Sequence, residues 1–344
     1  MQTGQAKTIG DIAAATGSLP EQVVHALIGD PSVDRSVRTA LADRAHEIGY
    51  MPLAAPHERL ERPLHLALVL KTFRGDDPDA NRFYAPISSA IAIACAKAGA
   101  CVDHVMVTVD SRYRLLDVPP ALALGGFDGA FVFGCQLDAT TVQTITRSCP
   151  VVLVDGYAGG DGLHSVVTDN AAGARALVES LAASGHRHIA LLGTEPTCYP
   201  SVLERRQGYA DAVRALGLAE HYIDMSYVLS RSCAVMGMDY VRRHPEVTAV
   251  FGANDVVTVA FMQQARDAGW RLPAHLSVAG FDDIDLASLV MPSLTTVGID
   301  KVQMARAAFT LMAYALECPD APAITSRVNP YVIERESVAA PRPR

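Results

Sequence analysis

The chain has 344 residues with 37 acidic and 29 basic side chains, a net charge of −8, and half of its residues are hydrophobic. That composition excludes a disordered or fibrous protein and supplies apolar surface for two or three compact units. The acidic balance excludes broad electrostatic attraction to nucleic acid or membrane, while leaving room for a local reading element. Seven scattered cysteines without a C-x-x-C pair read as buried free thiols of a reducing compartment, with no zinc or redox chemistry. The first dozen residues lack the apolar core of a signal peptide, and no apolar run approaches the ~18 residues of a membrane span, so a soluble cytoplasmic protein is expected.

Residues 1–48 predict three short helices around a small core. Ile9, Ile12 and Ala13 share one face, as do Val23, Ala26 and Leu27, and then Val37, Leu41, Ala45 and Ile48. Ser18 with Glu21 fits a capping box, Pro20 suits a first helical turn, Asp34 suits the cap of the third helix, and Gly49 its end. Residues 49–63 hold Pro52, Pro56 and Pro63 around the mixed-charge run "HERLER", which is linker composition.

From residue 64 the chain alternates apolar runs with amphipathic helices: "LHLALVL", "VDHVMVTV", "GAFVFG", "VVLVD", "HIALLG", "AVFGAND" and "LSVAGFDD". Strands that are apolar throughout and separated by helices predict buried parallel sheets. So many units divide best into two doubly wound α/β subdomains, the first about 64–165 and 298–322, the second about 166–297 and 323–340, within a region running to 344. Ligands of such sheets sit outside the carboxyl ends of the strands, so the polar residues there are the candidates. No G-x-S-x-G, G-x-x-x-x-G-K-[ST], H-E-x-x-H or post-strand G-x-G-x-x-G motif is present, so nothing asks for an enzyme or a cofactor.

Taken together, "TIGDIAAATG", "SVDRSVRTALADRAHEIGYMP", "DGAFVFG", "PVVLVDG", "SVVTDNAAGARALVESLAASGHRHIALLG", "ERRQGYADAVRALGL", "AVFGANDVVTVAFMQQARDAGWRLPAHLSVAGFDDIDLASLVMPSLTTV" and "VIERES" resemble the lactose-repressor/galactose-repressor family of bacterial regulators over nearly the whole chain. The resemblance implies a helix-turn-helix head, a hinge, and a periplasmic-binding-protein-like (type I) sensor of two subdomains. It also implies a homodimer on a near-palindromic operator, with a small carbohydrate-class effector bound between the subdomains and altering DNA affinity.

In the head, the resemblance places Glu21 and Gln22 at positions that contact base edges, and both residue types are able to pair with bases. Pro20 opens that helix; His25 stands where relatives carry Arg, Val24 where they carry Ser, and Ile28 where they carry Asn. Arg38 matches the family's Arg at the start of the third helix and Lys7 lies near the first helix, both as phosphate clamps, Tyr50 opens the hinge, and Leu60 is the candidate minor-groove wedge. A flexible tether is the alternative for that hinge. Residues 1–63 hold six cations against eight anions, unlike the basic heads that draw affinity from phosphate neutralisation. A sensor whose head no longer binds operator therefore stays open, as does, further off, a solute-binding protein.

For the effector, the resemblance points to Arg205 as a multi-donor grip. It adds Asn254, Asp255 and Asp282 after two strands, Tyr84 of the pair Phe83–Tyr84 as a stacking ring, and Thr72 and Phe73 in the loop after the first strand. Helix capping competes for Asp255 and Asp283 and is the expectation for Asp169 and Asn170. Arg206 is expected to face solvent. His186 and His188 in "GHRHI" need no metal, and no metal site is expected.

Overall fold

The computed structural model describes residues 7–53, 62–73, 82–110, 116, 119–134, 136–137, 148–158, 162–226 and 230–342. Three helices open the chain: α1 (Ile9–Thr16), α2 (Pro20–Leu27) and α3 (Arg35–Glu47). There follow β1 (His65–Phe73), α4 (Tyr84–Lys97), β2 (Cys101–Val109), α5 (Pro120–Ala123), β3 (Gly129–Phe133), β4 (Gln136–Leu137), β5 (Val151–Val154), β6 (Tyr157–Ala158) and β7 (His164–Thr168). The second half runs α6 (Asn170–Ala183), β8 (His188–Leu192), α7 (Pro200–Ala215), β9 (Ala219–Ile223), α8 (Ser230–Arg243), β10 (Ala249–Gly252), α9 (Asp255–Asp267), β11 (Ser277–Asp282), α10 (Asp285–Leu289) and β12 (Thr295–Gly298). It closes with α11 (Lys301–Glu317), β13 (Thr325–Val328) and β14 (Tyr331–Ile333).

These elements divide into unit 1, residues 1–167 and 301–328, and unit 2, residues 168–300 and 329–344. Each unit holds a six-stranded sheet. Unit 1 has the order β13-β7-β5-β3-β1-β2, and unit 2 has β14-β12-β11-β10-β8-β9. The strands expected from their apolar runs are there and pair in parallel, β1 with β2 and β3, β8 with β9 and β10. The antiparallel partner is β14 on β12. Strands β3, β5, β10 and β11 are buried along their whole length, the condition for a sheet covered on both faces.

The observed division corrects the expected boundaries. The chain passes between units after 167, 300 and 328, because β13 pairs beside β7 in unit 1, with the Ser165 N–H donating to the Ile324 carbonyl at 2.9 Å. Edge pairing of a short strand at such a site leaves little trace in hydrophobic periodicity. The head also groups with unit 1, because α2 packs against α11 as well as against α1 and α3.

Local signals in the head hold in part. Thr8 and Asp11 form a reciprocal capping box on α1, and Asp34 caps α3 by accepting the Ser36 N–H at 2.7 Å. The expected Ser18–Glu21 box is absent; Gln22 Oε1 instead accepts the Leu19 N–H at 3.0 Å, with Pro20 in the first turn. Val37 is 45% exposed, outside the core that Leu41 and Ala45 join. Cys95, Cys149, Cys198 and Cys233 are buried free thiols, whereas Cys101 is exposed and Cys318 half-buried.

Candidate functional site

In both units the polar residues gather where the strand order reverses, the place at which doubly wound sheets take ligands. In unit 2 this is the gap between β8 and β10. Helix α7 reaches this position because it lies close on α6: a Cβ at Gly208 would stand 2.2 Å from the Ala171 carbonyl oxygen, so only glycine permits the approach. Arg205 of α7 is 5% exposed. Its Nη1 donates to the Ala253 carbonyl just past β10 at 2.7 Å, and its Nε donates to Asn170 Oδ1 at 2.9 Å. Its Nη2 stands 2.9 Å from Asp282 Oδ1, and its guanidinium lies 3.9 Å from the Phe281 ring centroid. Two of its five N–H donors are thus hydrogen-bonded inside the unit, and Nη2 adds an ion pair with Asp282.

Arg206 corrects the expectation of a solvent-facing side chain. It donates to the Thr194 carbonyl just past β8 at 2.6 Å, pairs with Asp224, and stacks 3.9 Å from the Tyr222 ring centroid. Neighbouring arginines therefore grip the carbonyl ends of the two strands that bound the switch point.

The carboxylates of unit 2 take different roles. Asp282 is nearly buried with φ +108, and Asp283 follows with φ +47, a strained pair at the end of β11 of the kind that clusters at functional sites. Asp283 pairs with Arg335 at 2.6 Å, while Asp282 faces Arg205. Asn254 Oδ1 caps α9 by accepting the Val257 N–H at 2.9 Å. Asp255 is a correction. It is completely buried, its Oδ1 accepts from the Thr296 hydroxyl at 2.6 Å and its Oδ2 from the Ile284 N–H at 3.0 Å, so it braces β12 and the β11–α10 turn rather than lining a ligand surface. Burial, then the nearby Asp282 carboxylate, pushes the Asp255 carboxyl up to about 8.

In unit 1 the corresponding place lies between β1 and β3. Tyr84 is buried and donates its hydroxyl to Asp155 Oδ2 at 3.0 Å, with its ring edge-on to Phe133 at 6.0 Å. A Cβ on Gly134, at φ +52, would stand 2.1 Å from that hydroxyl oxygen, so this position requires glycine twice over. Lys71 is buried, donates to the Gly134 carbonyl and sits 5.6 Å from the Tyr84 ring centroid. Asp155 has φ +52, as strained as the pair in unit 2. Phe83 packs edge-on to Tyr84 at 5.2 Å under the Lys301 ammonium. Thr72 and Phe73 end β1 opposite Thr108 and Val109.

Lys71 and Asn170 are the residues that sequence reasoning missed. A lysine near the carboxyl end of the otherwise apolar "LALVLKTF" was the available signal for the first. Asn170 looked like a cap, but that role belongs to Asp169, which accepts the Ala172 N–H at 3.0 Å. Asn170 is fully buried and bridges Arg205 to Glu204, whose Oε2 accepts from Asn170 Nδ2 at 3.2 Å. A hollow of about 440 Å³ edged by Trp270, Met291 and Pro292 also opens on unit 2 and shares none of these polar residues.

The head shows a second arrangement. Glu21, Val24 and Ile28 recur at i, i+3 and i+7, a single stripe of α2. Val24 and Ile28 are buried. Helix α2 packs on α11, and burial, then the Glu21 carboxylate beside it, pushes the Tyr314 hydroxyl of α11 up to about 12. The Ile9 N–H at the start of α1 donates to Glu317 Oε2 at 2.8 Å. Burial, then Glu317, likewise raises the Tyr50 hydroxyl.

The remaining candidate DNA contacts are scattered. Gln22 and Lys7 are exposed and Pro20 is half-buried. His25 Nδ1 bonds Asp30 Oδ2 at 2.7 Å, and Arg38 donates to the Gly29 and Asp30 carbonyls at 3.0 and 2.9 Å, bracing the turn between α2 and α3. Leu60 lies outside the described residues. Glu21 and Tyr50 are half-buried, Glu21 beside Tyr314 and Tyr50 beside Glu317.

A three-helix head joined to two doubly wound units, each with charged residues at its switch point, defines a ligand sensor of the periplasmic-binding-protein-like type carrying a helix-turn-helix. Residues 178–338 match the periplasmic binding protein-like domain family. The HTH-type transcriptional regulator CelR of Thermobifida fusca is 26% identical, with 86% of this chain and 88% of the relative covered. Two solved structures share the fold. The complex of the transcriptional regulator CelR with cellobiose has a TM-score of 0.66 at 23% identity, covering 96% of this chain and all of that one. The lac repressor dimer bound to operator and the anti-inducer ONPF has a TM-score of 0.64 at 19% identity, covering 97% and 100%. The chain's homologues are HTH-type transcriptional regulators. Among the described residues no helix is long and apolar enough to cross a membrane.

Proposed function

We propose that this chain is a cytoplasmic, homodimeric transcriptional regulator, a repressor and not an enzyme, whose affinity for a near-palindromic operator is set by a small carbohydrate-class effector. The observation that carries this reading is the set around Arg205: a buried guanidinium with N–H donors beyond its two internal hydrogen bonds, paired with Asp282 and held to the Ala253 carbonyl next to the helix-capping Asn254, at the ends of β10 and β11. A planar donor group next to a carboxylate, over an aromatic ring, suits paired hydroxyls. In unit 1, Lys71, Tyr84 and Asp155 supply a second such set. Asn254, Asp282, Thr72, Phe73 and Tyr84 remain the effector residues of this reading, with Lys71 and Asn170 added and Asp255 assigned to support.

The experiment has two parts. Thermal-shift screening against sugars, sugar acids and nucleosides identifies the effector, since a ligand selective for the native state raises its stability. Mobility of the chain's own upstream DNA is then measured with and without that ligand at several salt concentrations. A ligand-dependent change in specific retention supports the regulator.

The packing of α2 on α11 favours a second reading: in this conformation Glu21, Val24 and Ile28 serve docking, and base reading requires the head to leave α11. If no DNA fragment is retained at low salt in either ligand state while a metabolite still binds, the chain is a sensor whose head has been recruited to its own core.

A further inference from the structure

Away from the switch point, unit 2 brings together three imidazoles and a carboxylate from three separate stretches of sequence. His188 is the first residue of β8, His221 lies in the edge strand β9, and His244 and Glu246 sit in the connection from α8 to β10. One ligand atom each from His221, His244 and Glu246 lies within 4.8 Å of the others. His188 Nδ1 stands 3.1 Å from His221 Nε2, and His244 Nδ1 stands 3.0 Å from Glu246 Oε1. Tyr240 supports the group twice: its hydroxyl lies 3.0 Å from His221 Nδ1, and its ring stacks on His244 at 4.2 Å.

We propose that this cluster is a binding site for a divalent transition metal of the zinc class, held by His221, His244 and Glu246 with His188 as the fourth ligand. Imidazole nitrogens and a carboxylate oxygen are the donor set such ions take, with bonds of about 2.0–2.2 Å, which puts ligand atoms of a tetrahedral site about 3.3 Å apart. The two close pairs already stand near that separation. The remaining gaps close by rotation of His244 and Glu246, both half-buried on a connecting segment. With the Tyr240 hydroxyl accepting the Nδ1 proton, His221 presents Nε2 toward His188, and a hydrogen-bonded partner that orients a ligating imidazole in this way is a regular part of metal sites.

An ordinary hydrogen-bond network explains the pattern less well. Two imidazoles, His221 and His244, gather with one carboxylate and a third, His188, adjoins His221, while the neighbouring arginine, Arg243, pairs instead with Asp239 at 2.7 Å. The site lies at the amino-terminal end of β8, opposite the end where Arg206 grips Thr194, so a metal here is distinct from the effector. It clips the α8–β10 connection to the edge strand β9.

The test uses the full chain stripped with a chelator. Co²⁺ and Zn²⁺ are titrated separately, with visible absorption of cobalt and the thermal midpoint as readouts. Expected are about one equivalent bound, cobalt bands without a thiolate charge-transfer absorption, and a raised midpoint. His244→Ala and Glu246→Gln, both at half-buried positions, are each expected to weaken binding by about tenfold or more while the metal-free midpoint stays near that of the parent; Arg243→Ala is the control and binds as the parent does. No stoichiometric binding, binding unchanged in His244→Ala and Glu246→Gln, or a thiolate band pointing to Cys101 overturns the proposal.

Discussion

The Ile9 backbone N–H donates to the Glu317 carboxylate at 2.8 Å, across 308 positions of sequence. The last residue of α11 thus supplies negative charge at the N-terminus of the head's first helix, where the helix dipole and unpaired N–H groups favour it. The same face of the sensor receives Glu21 beside Tyr314, so the head is held at two points on one helix.

Loosening that docking is expected to free α2. Replacing Val24 by Ser and Ile28 by Asn restores the residue types the resemblance leads one to expect there, and removes on the order of 1.5–3 kcal/mol of burial for each apolar side chain. With Glu317→Gln added, hydrogen exchange of the α2 amides is expected to rise at least tenfold and retention of operator fragments to increase. Unchanged exchange would show that α11 does not hold the helix.

Arg205→Ala strands Asp282 without its buried partner, an effect worth about 3–5 kcal/mol on unit 2 and seen as a lowered melting temperature. Arg205→Lys keeps the charge but loses the fork that reaches Asn170, Ala253 and Asp282 together, and is expected to fall between the parent and the alanine variant. If lysine equals arginine in both melting and effector shift, a point charge suffices at this position.

Asp255 makes stability depend on pH with a defined sign. Its folded pKa, about 8, lies above the ordinary aspartate value of 3.8, so the folded state retains a proton that the unfolded chain has released. Its contribution is present in full below the unfolded value and is lost as pH rises through about 8. Asp255→Asn is expected to flatten the decline in melting temperature across that window, while starting lower because the amide cannot accept from both Thr296 and Ile284. A parent whose stability rises steadily with pH over the same range would contradict this.

Gly208→Ala drives a methyl to within 2.2 Å of the Ala171 carbonyl oxygen, forcing α6 and α7 apart. Overpacking of this kind costs about 1–3 kcal/mol, and the displaced α7 carries Arg205 and Arg206 away from the strand ends. Both the melting temperature and the effector-induced shift are expected to fall. A lowered melting temperature with an intact shift would place the glycine in packing alone.

The switch-point residues were legible to different degrees. Asp282 was reachable because it falls at a strand end, and the fully apolar runs indicated parallel sheets; Arg205, within α7, was reached through the motif the resemblance supplies. Asp255 was misread because "AND" looks the same whether its aspartate faces ligand or interior; its bonds to Thr296 and Ile284 come from residues 41 and 29 positions away. Asn170 was taken for a cap for a similar reason, since only the approach of α7 turns it into a bridge.

By itself the sequence determined the order of helices and strands and the two doubly wound units, because hydrophobic periodicity and end signals act over a few residues, while the likeness to a regulator came from its resemblance to a known family. Tertiary structure alone decided three things. Helix α2 packs on the sensor's own helix α11, the arginines of α7 clamp the ends of β8 and β10, and His221, His244 and Glu246 meet. Each is a contact between segments far apart in the chain, made where burial and hydrogen bonding are satisfied only after the sheets have closed, and no local pattern encodes that choice.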